Sequence, residues 1–137
     1  MTKSADSPFQ TILVINSTER DRSEAALVTE NETFIESEPV RAQELPTLIT
    51  KLLARSGLKI EDIKALAVFN QPGSLTGTRV GVTVANTLAW DRTLPIIEVS
   101  APSLEAALKD LRRWSEHQYV KIAAVKAVPL TTQEKPC

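Results

Sequence analysis

The period of the apolar positions changes several times along this chain, and each change marks an element. Residues 11–15 are consecutively apolar after Thr11, with no polar alternation, which predicts a central strand buried on both faces. Residues 16–22 are polar and predict a turn; residues 25–28 then read as a second strand, most simply joined to the first as a hairpin. Residues 33–36 predict an edge-like third strand ended by Pro39, so the chain opens as an antiparallel meander. From Ala42 the spacing becomes helical. Leu45, Leu48, Ile49, Leu52 and Leu53 share one face, Pro46 fits within the first turn, and Gly57 stops the helix. A short link over 58–62, with room for one helical turn, leads to a fourth strand at 63–69. A second helix follows Gly77, a fifth strand occupies 96–99, and Leu104, Ala107, Leu108 and Leu111 define a third helix capped by Ser100 or Ser103. The order β-β-β-α-β-α-β-α predicts an α/β fold, a mixed sheet with helices on both faces. Residues 119–128 hold enough Val, Ile and Ala for one more strand, which Lys121 and Lys126 demote to an edge.

The stretch FNQPGSLTGTRVGVTVANTLAW, residues 69–90, organises the rest as strand, loop and helix. Val80, Val84 and Leu88 fall on one face of its helix, and Gly81 and Ala85 form a neighbouring stripe almost without side-chain bulk, so that another helix or the sheet can approach closely. Thr78 or Thr76 can cap the helix start, where free N–H groups favour a negative partner; Arg79 either closes on an anion or, as the sequence alone favours, solvates the first helical turn. The loop is not a Walker A loop: Gly73 and Gly77 are followed by Thr78 and Arg79, so the spacing and the lysine are both wrong. Two readings stay open for it, a phosphate cradle or a tight turn whose glycines permit unusual dihedrals.

Composition narrows the function classes. With 137 residues, 42% hydrophobic and a formal charge of −1, the chain has the size of one domain with its own core. A near-neutral balance does not grip RNA or DNA unaided. No run of about 18 apolar residues and no secretory leader is present, so a cytoplasmic location without membrane contact is expected. Residues 1–10 read as a loose leader and 129–137 as a tail. Cys137 has no thiol partner, and His117, the one histidine, lies in a polar stretch and reads as a surface residue. Asn16 ends the first strand, where an aspartate would serve a metal or phosphate, but an amide is no general base and a weak Mg²⁺ ligand. Glu19 and Asp21 read as turn residues, and Ser17, Ser23 and Ser74 have no histidine placed to activate them. The residues assemble no catalytic constellation and no metal site.

Three segments together carry a family resemblance: RAQELPTLITKLLARSG, IEDIKALAVFNQPGSLTGTRVGVTVANTLAW and LPIIEVSAPSLEAAL. Over about residues 11–108 the chain resembles the N-terminal domain of the bacterial TsaB/YeaZ family, the partner subunit needed for the threonylcarbamoyl modification of adenosine 37 in transfer RNA. The family's loop usually reads glycine, proline, glycine, serine, phenylalanine, threonine, glycine; here it is Gln71, Pro72, Gly73, Ser74, Leu75, Thr76, Gly77, and Arg79 and Gly81 match the continuation.

The resemblance implies a ribonuclease H-like domain, half of the actin, Hsp70 and sugar kinase architecture, over 11–128, without most of the usual second domain. It implies a non-catalytic subunit that dimerises with and stabilises a homologous TsaD-like catalytic subunit. A small TsaE-like ATPase joins the complex, the subunit forms a homodimer when alone, and transfer RNA is met only through the complex. No cofactor is expected on this chain alone; ATP and metal belong to the partner subunits. The pairing surface maps to helices at 43–55 and 79–90, with Leu45, Leu48, Ile49, Leu52, Arg79, Val80, Gly81, Val84, Ala85 and Leu88 as expected interface residues. Besides Leu75 for the loop phenylalanine, the departures that matter are Asn16 for a common aspartate, Gln71 for the first loop glycine, and Ala42 for a frequent histidine. These weaken an enzyme reading, a minimal nucleotide-binding phosphotransferase, more than a docking one. The other alternative is a self-associating structural or regulatory relic.

Overall fold

The computed structural model describes residues 11–70, 75–99, 101 and 103–117. Its core is one five-stranded sheet of β1 (Ile12–Glu19), β2 (Arg22–Val28), β3 (Thr33–Glu38), β4 (Ala65–Phe69) and β5 (Ile96–Val99), in the spatial order β3-β2-β1-β4-β5. β1 pairs antiparallel with β2, and β2 with β3, whereas β4 runs parallel to β1, and β5 to β4. This is the mixed sheet expected from the element order, in the β1-centred arrangement of the ribonuclease H-like fold. The helices are α1 (Leu45–Ser56), α2 (Leu75–Arg92) and α3 (Leu104–His117).

The alternating direction of side chains along each strand sorts the core into two clusters. Leu13, Ile15, Leu27, Leu66 and Val68 face α1 and α2. Ile12, Val14, Ala26, Val28, Ala67 and Phe69 face α3. β1 and β4 are buried on both faces for this reason, which is why their apolar residues run consecutively. β3 alternates between exposed and half-buried positions, as an edge strand with one covered face does. From α1, Lys51 reaches Glu38 at 2.8 Å and Arg55 reaches both the Glu36 carboxylate and the Ile35 carbonyl at 2.8 Å, so part of the open edge is shielded by charged side chains. The hydrogen bond from Lys51 holds the Glu38 carboxyl below its ordinary value, and the same bond raises Lys51.

Several boundaries differ from those the sequence predicts. The first two strands continue through the polar residues 16–19 and 22–24, leaving only Arg20 and Asp21 between them, because cross-strand hydrogen bonds take over where apolar packing stops; the register shifts between Asn16 and Glu19. The third strand extends to Glu38, and the fourth begins at Ala65, after a single 3₁₀ turn at Ile60–Asp62. α1 has Pro46 in its first turn and ends at Gly57, whose φ of 77° and N–H bond to the Leu53 carbonyl at 3.0 Å make it the left-handed terminator. Ser103 caps α3, accepting the Ala106 N–H at 3.2 Å, and Ser100 lies outside the described residues. The leader, the possible strand at 119–128 and the tail lie outside the described residues.

Candidate functional site

At the end of β1, Ser17 and Asn16 point to opposite faces of the sheet, and each makes a different tie. Ser17 is fully buried on the α2 side, and its hydroxyl donates to the Gly77 carbonyl at 2.6 Å. A Cβ built at Gly81 would collide with that same hydroxyl, so glycine is required there by a close helix-to-strand approach. Asn16 faces the other way. Its Nδ2 donates to Glu24 on β2 at 3.0 Å, and its Oδ1 accepts the Thr18 N–H at 3.2 Å and the Thr18 hydroxyl at 2.8 Å. Glu24 also accepts the Ser37 hydroxyl at 3.2 Å, and Arg22 donates to Ser37 Oγ at 2.8 Å. The result is a polar ladder across β1, β2 and β3. Asn16 is thus committed to a cross-strand tie rather than presented as a cation ligand, and among the described residues no group of three or more His, Cys, Asp or Glu converges.

The loop that the sequence singles out is fixed at both ends. On one side Asn70 is buried, its amide donating to the Glu98 carboxylate and its backbone N–H to the Val99 carbonyl at 3.3 Å. On the other, Gly77 is held by Ser17. Gln71, Pro72, Gly73 and Ser74 lie outside the described residues, and Thr76 stands in the first turn of α2. The helix begins at Leu75, before the expected cap, so Thr78 is a buried residue within it and caps nothing.

The expected interface residues divide sharply. Leu45, Leu48, Ile49 and Leu52 are all buried on the chain's own sheet, and the periodicity that marked them describes core. Gly81 and Ala85 also face inward, with Ala85 at 0% exposure alongside Val82 and Ala89. The small stripe therefore admits the sheet, not a second helix, and the assignment of those six residues to a docking face is corrected. Arg79 is exposed, and Val80, Val84 and Leu88 are half-buried at the edge of the same cluster. Trp90, 84% exposed, was not singled out by sequence, though it sits five residues beyond Ala85 and so nearly opposite it on a 100° helical wheel. Thr83 and Thr87 lie between Arg79 and Trp90 on that outward face, both exposed.

Several known proteins are similar to this chain in sequence and fold. Residues 40–118, more than half of the chain, match the family described as TsaD, tRNA N6-adenosine threonylcarbamoyltransferase. The chain is 34% identical over 92 residues to the tRNA threonylcarbamoyladenosine biosynthesis protein TsaB of Haemophilus influenzae, covering 66% of this chain and 39% of that protein. It is 45% identical over 56 residues to the tRNA N6-adenosine threonylcarbamoyltransferase of Treponema pallidum, covering 41% of this chain and 16% of that one. The structure of YeaZ from Pseudomonas aeruginosa superposes with a TM-score of 0.63 at 26% identity, over 66% of this chain and 44% of the other. The chain thus spans less than half the length of each of these relatives. Among the described residues no helix is long and apolar enough to cross a membrane.

Proposed function

This chain belongs to the family described as tRNA N6-adenosine threonylcarbamoyltransferase, within its TsaB/YeaZ group, and from that membership we propose that it is a non-catalytic partner subunit that docks on and stabilises a homologous TsaD-like catalytic subunit. The observation that carries the reading is the outward face of α2, where Trp90 is largely exposed. A large aromatic held on a rigid helix is the residue type that most often anchors an interface, because it buries much area at little cost in rotamer entropy. The similarity to both the biosynthesis protein and the transferase favours a pseudo-symmetric pairing of related helices. Asn16 supports the accessory role: it supplies a structural tie where a charge would be useful to catalysis.

Binding of the TsaE-like ATPase and contact with transfer RNA are proposed to occur through the assembled complex, and a homodimer through the same face when the catalytic subunit is absent. The test is titration calorimetry of this chain against the TsaD-like subunit of the same organism. Association at micromolar concentration is expected, with Trp90→Ala weakening it about tenfold or more and leaving the circular dichroism spectrum unchanged. Failure of the wild-type chain to associate, or equal affinity for the variant, would remove the docking assignment.

A further inference from the structure

We infer that α3 is a strap across the second face of the sheet, latched at its far end by the Arg112 guanidinium. The helix buries Leu104, Ala107 and Leu111 against Ile12, Val14, Ala26 and Val28, with Leu108 half-buried beside them. One of those three is an alanine, which adds little apolar area, so among the described side chains this seam is thinner than the one that seats α1 through three leucines and an isoleucine. The near end is fixed by the Ser103 cap and the short connection from β5.

The far end is fixed by polar contacts. Arg112 Nη1 donates to the carbonyls of Thr29 at 2.9 Å and Glu30 at 3.2 Å, and Nη2 donates to the Glu32 carbonyl at 3.1 Å and to Thr33 Oγ1 at 2.8 Å. Three of these acceptors are carbonyls of the turn between β2 and β3, and the fourth, Thr33, opens β3. The three carbonyls converge on one point, an arrangement that a planar, permanently charged fork of donors matches and that water replaces only with loss of order. The turn is otherwise closed on itself, by Thr29 N–H to the Glu32 carbonyl at 2.8 Å and Glu32 N–H to Thr29 Oγ1 at 3.0 Å. The guanidinium joins this turn directly to the last turns of the helix through four hydrogen bonds, so the two open as one unit although they are about 80 residues apart. Opening of the latch lifts α3 from the apolar strip of β1 and β2 while the sheet and the α1–α2 side stay closed.

Amide hydrogen exchange followed by NMR tests this directly. In Arg112→Ala the amides of Thr29 and Glu32 and those of Leu108 and Leu111 are expected to exchange about tenfold faster or more, the size expected when several hydrogen bonds to a charged group are lost, with Val14 in β1 unchanged. Acceleration confined to the turn, or an equal acceleration of Val14, would overturn the inference. Should the variant fail to fold, the wild-type chain in sub-denaturing urea answers the same question: the four amides share one opening isotherm, distinct from that of Val14, and separate isotherms for helix and turn would overturn it.

Discussion

On one face of the sheet two helices cover the strands, and α2 comes so near that the Ser17 hydroxyl occupies the space a Cβ at Gly81 would take; on the other, α3 lies over the same strands and is tied by directional polar bonds at its end. The first face is closed by shape. Its cluster runs from Leu45 on α1 through Leu13 and Val68 to Ala89 on α2, and every position there is limited by volume. The second face shades from apolar near Val14 and Ala67 to a polar ladder at Asn16, Glu24 and Ser37. A small domain can therefore keep β1 buried on both sides while using two kinds of specificity, one steric and abrupt, the other hydrogen-bonded and graded.

Substitution at Ala85 gives the largest contrast between them. With Ala85 fully buried against the sheet, Ala85→Glu forces a carboxylate into an apolar cluster and is expected to cost about 3–5 kcal/mol, most of the stability of a small domain. Urea unfolding monitored by circular dichroism measures it, and a variant with wild-type stability would show that α2 does not seat as described.

Gly81 sharpens the same point at smaller amplitude. An added methyl gains up to about 1 kcal/mol of helix propensity but costs about 1–3 kcal/mol by overpacking against Ser17, so Gly81→Ala is expected to destabilise by about 1–2 kcal/mol. In a Ser17→Ala background the colliding oxygen is gone, and the same change is expected to be close to neutral. The test is a double-mutant cycle by urea denaturation; additive effects would refute the steric account.

The polar ladder responds more gently. Asn16→Asp replaces a donor to Glu24 by a second carboxylate and is expected to cost about 1–2 kcal/mol at neutral pH. Asn16→Asp combined with Glu24→Gln restores a donor and acceptor across the same strand pair, and should return most of the loss. Equal stability of the single and double variants would mean that Asn16 is not held by Glu24.

The limits of the sequence reading follow from the same contrast. Gly57 and Pro46 fix the ends of α1 through local dihedral chemistry, which needs no tertiary partner and is legible in the chain itself. The end of the first strand was less legible: a polar run looks like a turn until Glu24 and Ser37 supply partners from other strands. Thr78 lies within α2 rather than at its cap because the helix gains three residues before it, from Leu75.

By itself the sequence determined the order of the elements, the two-sided burial of β1, the edge character of β3 and the family signature around Gly77, Arg79 and Gly81, because alternation, helical period and turn residues are properties of neighbouring positions. It could not say which side of α2 the sheet takes. Gly81 and Ala85 offer a smooth stripe to any close neighbour, and Val80, Val84 and Leu88 an apolar one; only the approach of β1, set by Ser17 beside Gly81, turned the small stripe inward and left Trp90 facing out. The partner of Asn16 and the acceptors of Arg112 were likewise decided by the fold, since hydrogen bonds between residues 8 and about 80 positions apart leave no periodic trace in the chain.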